Sequence, residues 1–442
     1  MNELSNDSLV PRLSIFGLGK LGAVLAGCYA SRGVPVLGVD LDDATVQAVA
    51  AGRPPVREPG LPEIYARCGG RLDATRDARR AVLETDVSFL LVPTPSEPDG
   101  SYSLRWVKQA CEEIGRALAE KDGRHLVVLK STVLPGACGE EIVPLLEATS
   151  GRRCGFGFGF AYGPEFVALG SVVRDVFGPE LCLLGESDPD TGDRIEALYR
   201  RLLGHPPPMA RMSLVNAELA KLAVNAYVTM KISFANSLAR LCERLPGGDV
   251  DQVTDAIGRD GRIGGRYLKG GLGFGGPCFS RDNRALLALA RRLEADFALA
   301  SATDRVNVHP ARVAVARVAG AIAPGERVGV LGLAYKPDTP VVEHSQGVLI
   351  AELLAEGGFE VSVYDPLAMP AARRELGDRV KYAESAQALL GGQQGVVIAT
   401  PWPAFAELDW PAAPGPFVLD CWGLLAGRSE VAAVRLGVGA SA

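Results

Sequence analysis

Gly17, Gly19 and Gly22 stand between a short apolar run, Leu13 to Phe16, and a helix-like segment, Ala23 to Ala30. Arg32-Gly33 closes that segment, because glycine tolerates the left-handed geometry of a C-cap. Val34 to Val39 then reads as a second strand that ends at Asp40, 23 residues after Gly17. Strand, glycine turn, helix, strand and terminal acid together constrain folding more than any other feature of the chain. The glycines allow a tight turn, close approach of a pyrophosphate and close helix–strand packing. The helix N-terminus attracts phosphates, and an acid at that distance can hydrogen-bond a ribose hydroxyl. A carboxylate there repels a 2′-phosphate, so NAD is favoured over NADP. The competing reading is a glycine-rich turn in another doubly wound fold.

More strand-like runs occur at Val87 to Val92 and Leu126 to Leu129, with helix-like segments between them. Alternation of this kind predicts a parallel sheet wrapped by helices. Ser213 to Leu245 differs, with no Pro or Gly in 33 residues, Ser213 as an N-cap and Pro246-Gly247-Gly248 as a stop. Such a helix would be roughly 50 Å long, enough to run between domains or to pair with its copy in a second subunit. A second alternating unit starts after Ala323-Pro324-Gly325: strand Arg327 to Leu331, helix Gly347 to Glu356, strand Val361 to Tyr364 ending at Asp365, and strand Gly395 to Thr400. The expected architecture is α/β, with two Rossmann-like doubly wound domains joined by a long central helix and a helical middle domain. The boundaries are placed at 1–207, 208–310 and 311–442.

At 442 residues the chain exceeds what one hydrophobic core usually supports. Its 48% apolar and 22% charged residues are those of a globular protein. A formal net charge of −6 argues against a nucleic-acid partner, which needs a basic face, but leaves room for a small anionic substrate. Nine cysteines without a CxxC pair read as reduced thiols. His125, His205, His309 and His344 are too few and scattered for a metal site, so none is expected. Met1 to Arg12 is polar, with no secretory apolar core, and no apolar stretch approaches the ~20 residues of a membrane span. A soluble cytoplasmic protein with no membrane partner is expected.

Within the long helix, Lys221, Asn225 and Thr229 recur at i, i+4 and i+8 and form a polar stripe. It reads either as a solvated face or, with Leu222, Ala223 and Val224 around it, as a buried charge placed to stabilise an oxyanion. Gly270-Gly271-Leu272-Gly273-Phe274-Gly275-Gly276-Pro277-Cys278 packs glycines ahead of a cysteine, as where backbone approaches a ligand closely. Asp282 lies four residues on, so a helix starting here would bring both to one site. The cysteine reads as a nucleophile, a core residue or a redox thiol, and the glycine run favours the first. Lys130-Ser131-Thr132 comes directly after a strand, where doubly wound sheets bind ligands. Gly163-Pro164-Glu165-Phe166 places a carboxylate in a turn.

Taken in order, these pieces resemble the UDP-glucose/GDP-mannose dehydrogenase family over nearly the whole chain. The matching segments are the Gly17 fingerprint, Glu58-Pro59-Gly60-Leu61, Thr94-Pro95, Ser131-Thr132, Pro164-Glu165-Phe166, Ala217-Glu218-Leu219-Ala220-Lys221 with Asn225, and Arg262-Ile263-Gly264. Gly275-Gly276-Pro277-Cys278 with Asp282, Gly332-Leu333-Ala334-Tyr335-Lys336-Pro337 and Val363-Tyr364-Asp365-Pro366 complete them. The resemblance implies oxidation of a sugar primary alcohol to a carboxylate with two NAD. By it, Gly17, Gly19, Lys20, Leu21, Gly22, Asp40, Thr94, Pro95 and Thr132 hold the cofactor. Lys221, Asn225 and a water on Asp282 assist alcohol deprotonation, Cys278 captures the aldehyde as a thiolate, and Thr132 and Glu165 position water or move protons. Substrate binding falls to Glu165, Phe166, Lys221, Asn225, Tyr267, Leu268, Lys269, Gly273 and Lys336, with Arg262 reaching a neighbouring subunit's substrate. The long helix would build a homodimer.

The sequence also departs from that pattern. Gly163 replaces an Asn, and Leu169 replaces a second Glu associated with thioester hydrolysis, although members acting on N-acetylated sugars lack it too. Glu343-His344-Ser345 stands for Arg-Glu-Ser, removing an arginine expected at the cofactor. Arg281 replaces a Lys and Ser280 a Pro. A two-electron dehydrogenase that stops at an aldehyde or ketone is therefore the alternative. A non-catalytic nucleotide-sugar or NAD sensor is the remote one, since a sensor needs no nucleophile. The base and sugar of the substrate are not legible, and Trp402 and Trp422 read as core packing or as base recognition.

Overall fold

The computed structural model describes residues 10–412 and 415–440. The polar N-terminal stretch lies outside the described residues up to position 9. The chain forms two compact units, residues 1–222 and 223–442, and the division falls inside the helix Leu214–Cys242.

The first unit is an eight-stranded sheet: β1 (Leu13–Phe16), β2 (Val36–Val39), β3 (Leu72–Thr75), β4 (Val87–Leu90), β5 (His125–Leu129), β6 (Phe158–Tyr162), β7 (Cys182–Glu186) and β8 (Met209–Ser213). Their spatial order is β3-β2-β1-β4-β5-β6-β7-β8, and β6 with β7 is the antiparallel pair. β1, β2, β4, β5 and β6 are buried at every position, which is why they read as mainly apolar runs and not as regular alternations. Helices cover both faces. One core gathers Leu25, Tyr29, Leu198 and Leu202, the other Cys111, Ile114, Leu118 and Leu146. β1 pairs with β2 on one side and β4 on the other, so the connections diverge beyond the carboxyl ends of β1 and β4 and open a crevice there.

The second unit runs from the rest of the long helix through helices Val250–Gly258, Phe279–Arg292, Ala298–Asn307 and His309–Ala321 into an all-parallel sheet. Its strands are β9 (Arg327–Leu331), β10 (Glu360–Tyr364), β11 (Lys381–Tyr382), β12 (Gly395–Ile398), β13 (Phe417–Asp420) and β14 (Ala433–Arg435), ordered β11-β10-β9-β12-β13-β14. This is the order of the first six strands of the other sheet. The same steric device closes both: a Cβ at Gly22 would lie 1.8 Å from the Gly17 carbonyl oxygen, and one at Gly347 would lie 2.1 Å from that of Gly332. Gly17 and Gly332 themselves have φ of +91° and +96°.

The long helix is shorter than the sequence predicts, 29 residues or about 44 Å. Ser213 ends β8, paired with Glu186, instead of capping the helix. At the other end Pro246 restrains the residue before it, and the chain turns from Glu243 onward. Among the described residues no helix is long and apolar enough to cross a membrane.

A polar chain crosses the first sheet away from its carboxyl edge. Ser14 Oγ lies 2.7 Å from Ser88 Oγ, which lies 2.8 Å from His125 Nε2. His125 Nδ1 is 3.1 Å from the Thr85 carbonyl oxygen, an acceptor only, so Nδ1 carries the proton and Nε2 accepts. Burial, reinforced by the charges of Lys121 and Arg152, pushes His125 down to about 3. Its unfolded value is near 6.5, so the unfolded chain takes up this proton first. The stabilisation is complete above about pH 6.5 and is lost as pH falls toward about 3. His125→Gln should therefore lose less urea resistance than the parent between neutral pH and about pH 5; an equal loss in both would show that His125 is not the titrating group. Gly347→Ala should lower stability by about 1–3 kcal/mol through the clash with Gly332, while Gly427→Ala, which meets open space, should stay within about 0.5 kcal/mol. Thermal midpoints of the two variants measure this, and equal midpoints would refute it.

Candidate functional site

The loop after β1 divides its three glycines by task. Gly17 has positive φ and would press a Cβ to 2.7 Å from the Leu91 carbonyl oxygen, and Gly22 abuts Gly17. Fold packing requires both. A Cβ at Gly19, by contrast, would meet nothing within 4 Å, so its absence clears space that the protein does not fill. Lys20 is exposed beside it and Leu21 is half-buried. At the end of β2, Asp40 Oδ2 accepts from Leu18 N–H at 2.7 Å and Oδ1 from Asp42 N–H at 3.0 Å. Asp40 borders a cavity of about 240 Å³ with Phe16, Gly17, Leu41, Val92, Pro93, Trp106, Gln109 and Glu113. An acid at the mouth of a largely apolar slot, beside open space at a helix N-terminus, fits the adenosine and pyrophosphate of a dinucleotide. Trp106, Gln109 and Glu113 were not legible, because they come from a helix, Arg105–Glu120, whose spacing carries no motif.

The second unit has an acid at the matching place, and it is spent. Asp365, just past β10 and 1% exposed, accepts from Leu333, Ala334, Leu367 and Ala368 N–H and from Trp402 Nε1. Trp402 is thus core, while Trp422 is half-buried with Nε1 donating to the Ala399 carbonyl at 2.8 Å.

Beside the dinucleotide crevice, Thr94 Oγ1 donates to the Thr132 carbonyl at 2.8 Å and Ser131 Oγ to the Val92 carbonyl at 2.6 Å, tying together the loops after β4 and β5. Pro95 is exposed in the first of these loops. Two buried acids that motif reading left without a role hold further loops. Glu218 accepts from Gly136 and Cys138 N–H, both at 2.7 Å, and Glu58 from Gly170 and Val172 N–H at 3.1 and 2.7 Å. Leu169 lies within the latter loop and packs on the apolar core. After β6, Gly163–Phe166 has neither helix nor ladder. Lys221 Nζ donates to the Glu165 carbonyl at 2.6 Å and stands 4.2 Å from the centre of the Phe166 ring. The Glu165 carboxylate pairs with Lys130.

In the second unit Cys278 immediately precedes the helix Phe279–Arg292 and is the exposed cysteine among the described residues. The contrast with the others has chemical content, since burial pushes the Cys111 thiol up to about 12 and Cys182, chiefly by burial, to about 11. A thiol held that high supplies no thiolate. The helix does start where the sequence reading required it: Asp282 N–H donates to the Cys278 carbonyl at 2.8 Å, one turn on. Asn225 Nδ2 donates to Asp282 Oδ2 at 2.6 Å, and Thr229 Oγ1 and Asn283 Nδ2 are 3.2 Å apart. The Lys221–Asn225–Thr229 stripe is accordingly not a solvated face; Lys221 is 8% exposed and Thr229 0%.

The glycine run serves packing at the positions that approach something. Added Cβ atoms would meet Asn307 at Gly273, the His344 carbonyl at Gly275 and the Tyr335 ring at Gly276, so packing by itself requires glycine at these three positions. Leu268 is buried, whereas Tyr267 and Lys269 are exposed, Tyr267 with φ of +59°. Arg262 is 89% exposed, its guanidinium bidentate on Asp260. Lys336 is half-buried in the loop after β9.

Three profiles of one family match the chain in sequence order: the UDP-glucose/GDP-mannose dehydrogenase family NAD binding domain at residues 11–203, its central domain at 215–309 and its UDP binding domain at 329–427. The chain is 39% identical over 401 residues to the UDP-glucose 6-dehydrogenase of Haloferax volcanii, covering 90% of this chain and 93% of that one. It is 36% identical over 358 residues to the GDP-mannose 6-dehydrogenase of Pseudomonas aeruginosa, covering 80% and 81%. Among solved structures, a UDP-glucose dehydrogenase from Pyrobaculum islandicum superposes with a TM-score of 0.88 at 38% identity, over 100% of this chain and 99% of that one. The chain belongs to the UDP-glucose/GDP-mannose dehydrogenase family, and its first sheet is an NAD-binding domain.

Proposed function

We propose that the protein oxidises the C6 alcohol of a nucleotide-sugar, of the UDP-glucose kind, to the uronic acid, with NAD as oxidant and Cys278 as covalent catalyst. One observation carries this reading: the exposed Cys278 sits one helical turn from Asp282, whose carboxylate is held by Asn225. The relatives' UDP and GDP sugars and the family's NAD-binding domain support it.

NAD, when bound, supplies the hydride acceptor for each of two oxidations. Gly17, Gly19, Gly22 and Asp40 would hold it, with Lys20, Leu21, Thr94, Pro95 and Thr132 at the rim of the crevice. Asp282, oriented by the Asn225 amide, holds a water that takes the alcohol proton. Lys221 stands one turn before Asn225 on the same helix, and its ammonium stabilises the developing oxyanion. The Cys278 thiolate adds to the aldehyde carbon, and the resulting thiohemiacetal loses a hydride to become a thioester. Water then hydrolyses the thioester, freeing the thiol and the carboxylate. Glu165, Thr132, Phe166, Tyr267, Leu268, Lys269, Gly273 and Lys336 complete the substrate contacts, and the exposed Arg262 reaches toward a second subunit. Leu219, Tyr227, Phe234 and Leu241 are exposed at helical spacing on Leu214–Cys242, which supports a homodimer through that helix.

Leu169 favours a second reading, a two-electron enzyme, because its apolar side chain packs on the core where a hydrolytic acid would otherwise stand. Counting NADH per sugar consumed separates the two. Two NADH per sugar in the wild type and at most one, with no uronate, in Cys278→Ala establish the four-electron reaction. One NADH per sugar in both would end it. Independently, Asp40→Ser should reduce kcat/KM with NAD by about tenfold, the worth of one charge-assisted hydrogen bond, and raise it with NADP. Unaltered discrimination would remove Asp40 from the ribose site.

A further inference from the structure

The reaction as proposed uses Lys221 and leaves unexplained a second lysine nearby. Lys130 comes directly after β5, and its side chain is 0% exposed. Its ammonium has three hydrogens and three acceptors: the Glu165 carboxylate, the Tyr199 hydroxyl oxygen, and the Gly163 carbonyl at 3.1 Å. It also stands 4.7 Å from the centre of the Phe89 ring and 5.0 Å from that of Tyr199. Burial disfavours this charge, but the carboxylate and the phenol oxygen more than offset it and hold Lys130 above the ordinary lysine range. A buried cation with every donor satisfied is a rigid fixture.

What it fixes is the irregular segment Gly163–Phe166. Lys130 grips that segment through the Gly163 carbonyl and the Glu165 side chain, while the Glu165 carbonyl and the Phe166 ring face Lys221. We propose that Lys130 is a positioning residue for Lys221: it immobilises the backbone that cradles the Lys221 ammonium and balances the charge of the Glu165 carboxylate beside it. The inference rests on Lys221 acting in the oxidation as proposed above. The other titratable groups facing the pair are Tyr29, Cys182 and Tyr199. Burial above all pushes Cys182 up to about 11, Tyr199 to about 12 and Tyr29 well above its ordinary value, so none ionises near neutrality. On Lys221's own helix, Glu218 is engaged by the Gly136 and Cys138 amides.

Steady-state kinetics of the full-length enzyme with saturating NAD and the sugar nucleotide it oxidises test this, for Lys130→Met, Lys130→Met/Glu165→Gln and Lys221→Ala. In Lys130→Met the freed carboxylate should raise the alkaline limb of the kcat profile by about one pH unit. Loss of the cradle should lower kcat by about thirtyfold at a KM within about threefold of wild type. The double variant should return the limb to its original place, since no unbalanced charge is left, yet stay at least about tenfold slow. Wild-type kcat per folded subunit in the double variant, or an unmoved alkaline limb in Lys130→Met, overturns the proposal. Where Lys130→Met does not fold, the double variant is compared with Glu165→Gln alone: a kcat at least about threefold lower in the double variant supports the cradle, and an equal kcat overturns the proposal. Lys221→Ala separates the two levels of argument: wild-type turnover there would refute the role of Lys221 itself, whatever Lys130 does.

Discussion

A parallel ladder can be closed only by chain that leaves one end of the sheet and returns along its face to the other. All strand pairs here but β6 with β7 are parallel, so crossovers clothe both faces of each sheet, and the central strands β1, β2, β4, β5 and β6 are buried at every position. Side chains in the middle of the strands are then committed to packing, and chemistry is confined to the rims. Asp40, Thr94, Thr132 and Glu165 all sit in connections just beyond β2, β4, β5 and β6, at one carboxyl edge. The buried Ser14–Ser88–His125 chain marks what happens to polar groups inside the sheet: they must satisfy one another.

The two sheets share a strand order and a glycine contact, yet they differ at the acid placed after the second strand. Asp40 keeps capacity to accept from a ligand and borders a cavity, whereas Asp365 is saturated by four backbone amides and an indole. Strand order is settled by backbone and crossover geometry; ligand capacity is settled by how many lone pairs the fold has already used. Two domains of one topology can thus be assigned different work from a hydrogen-bond count alone.

Much of this was legible in the sequence. The apolar runs gave β1, β4, β5, β9 and β10 to within a residue or two: β1, β4 and β5 are buried throughout and β9 beyond its first residue, while β10 alternates between buried and more open positions. Cys278 and Asp282 could be placed one turn apart because four residues slightly exceed one helical turn. Contacts between residues distant in sequence left no such trace. Nothing in the neighbourhood of Lys130 announces Tyr199 as its partner, 69 residues away, and a lone Trp106 on an amphipathic helix does not declare a cavity. The glycine run is ambiguous for a related reason. Absence of a side chain signals close approach but not the identity of what approaches, and at Gly273, Gly275 and Gly276 it is the protein's own chain.

The continuity of Leu214–Cys242 bears on how such a sequence can diverge. Lys221, Asn225 and Thr229 share a face only because four residues separate each from the next, and each added or deleted residue turns the remainder of the helix by about 100°. Substitutions among Leu222, Ala223 and Val224 are a matter of volume, but an insertion or deletion there would swing Asn225 away from Asp282 in one mutational step. The stretch can therefore drift in spelling and not in length, and gaps accumulated over long descent should fall in the flanking turns, outside the helix.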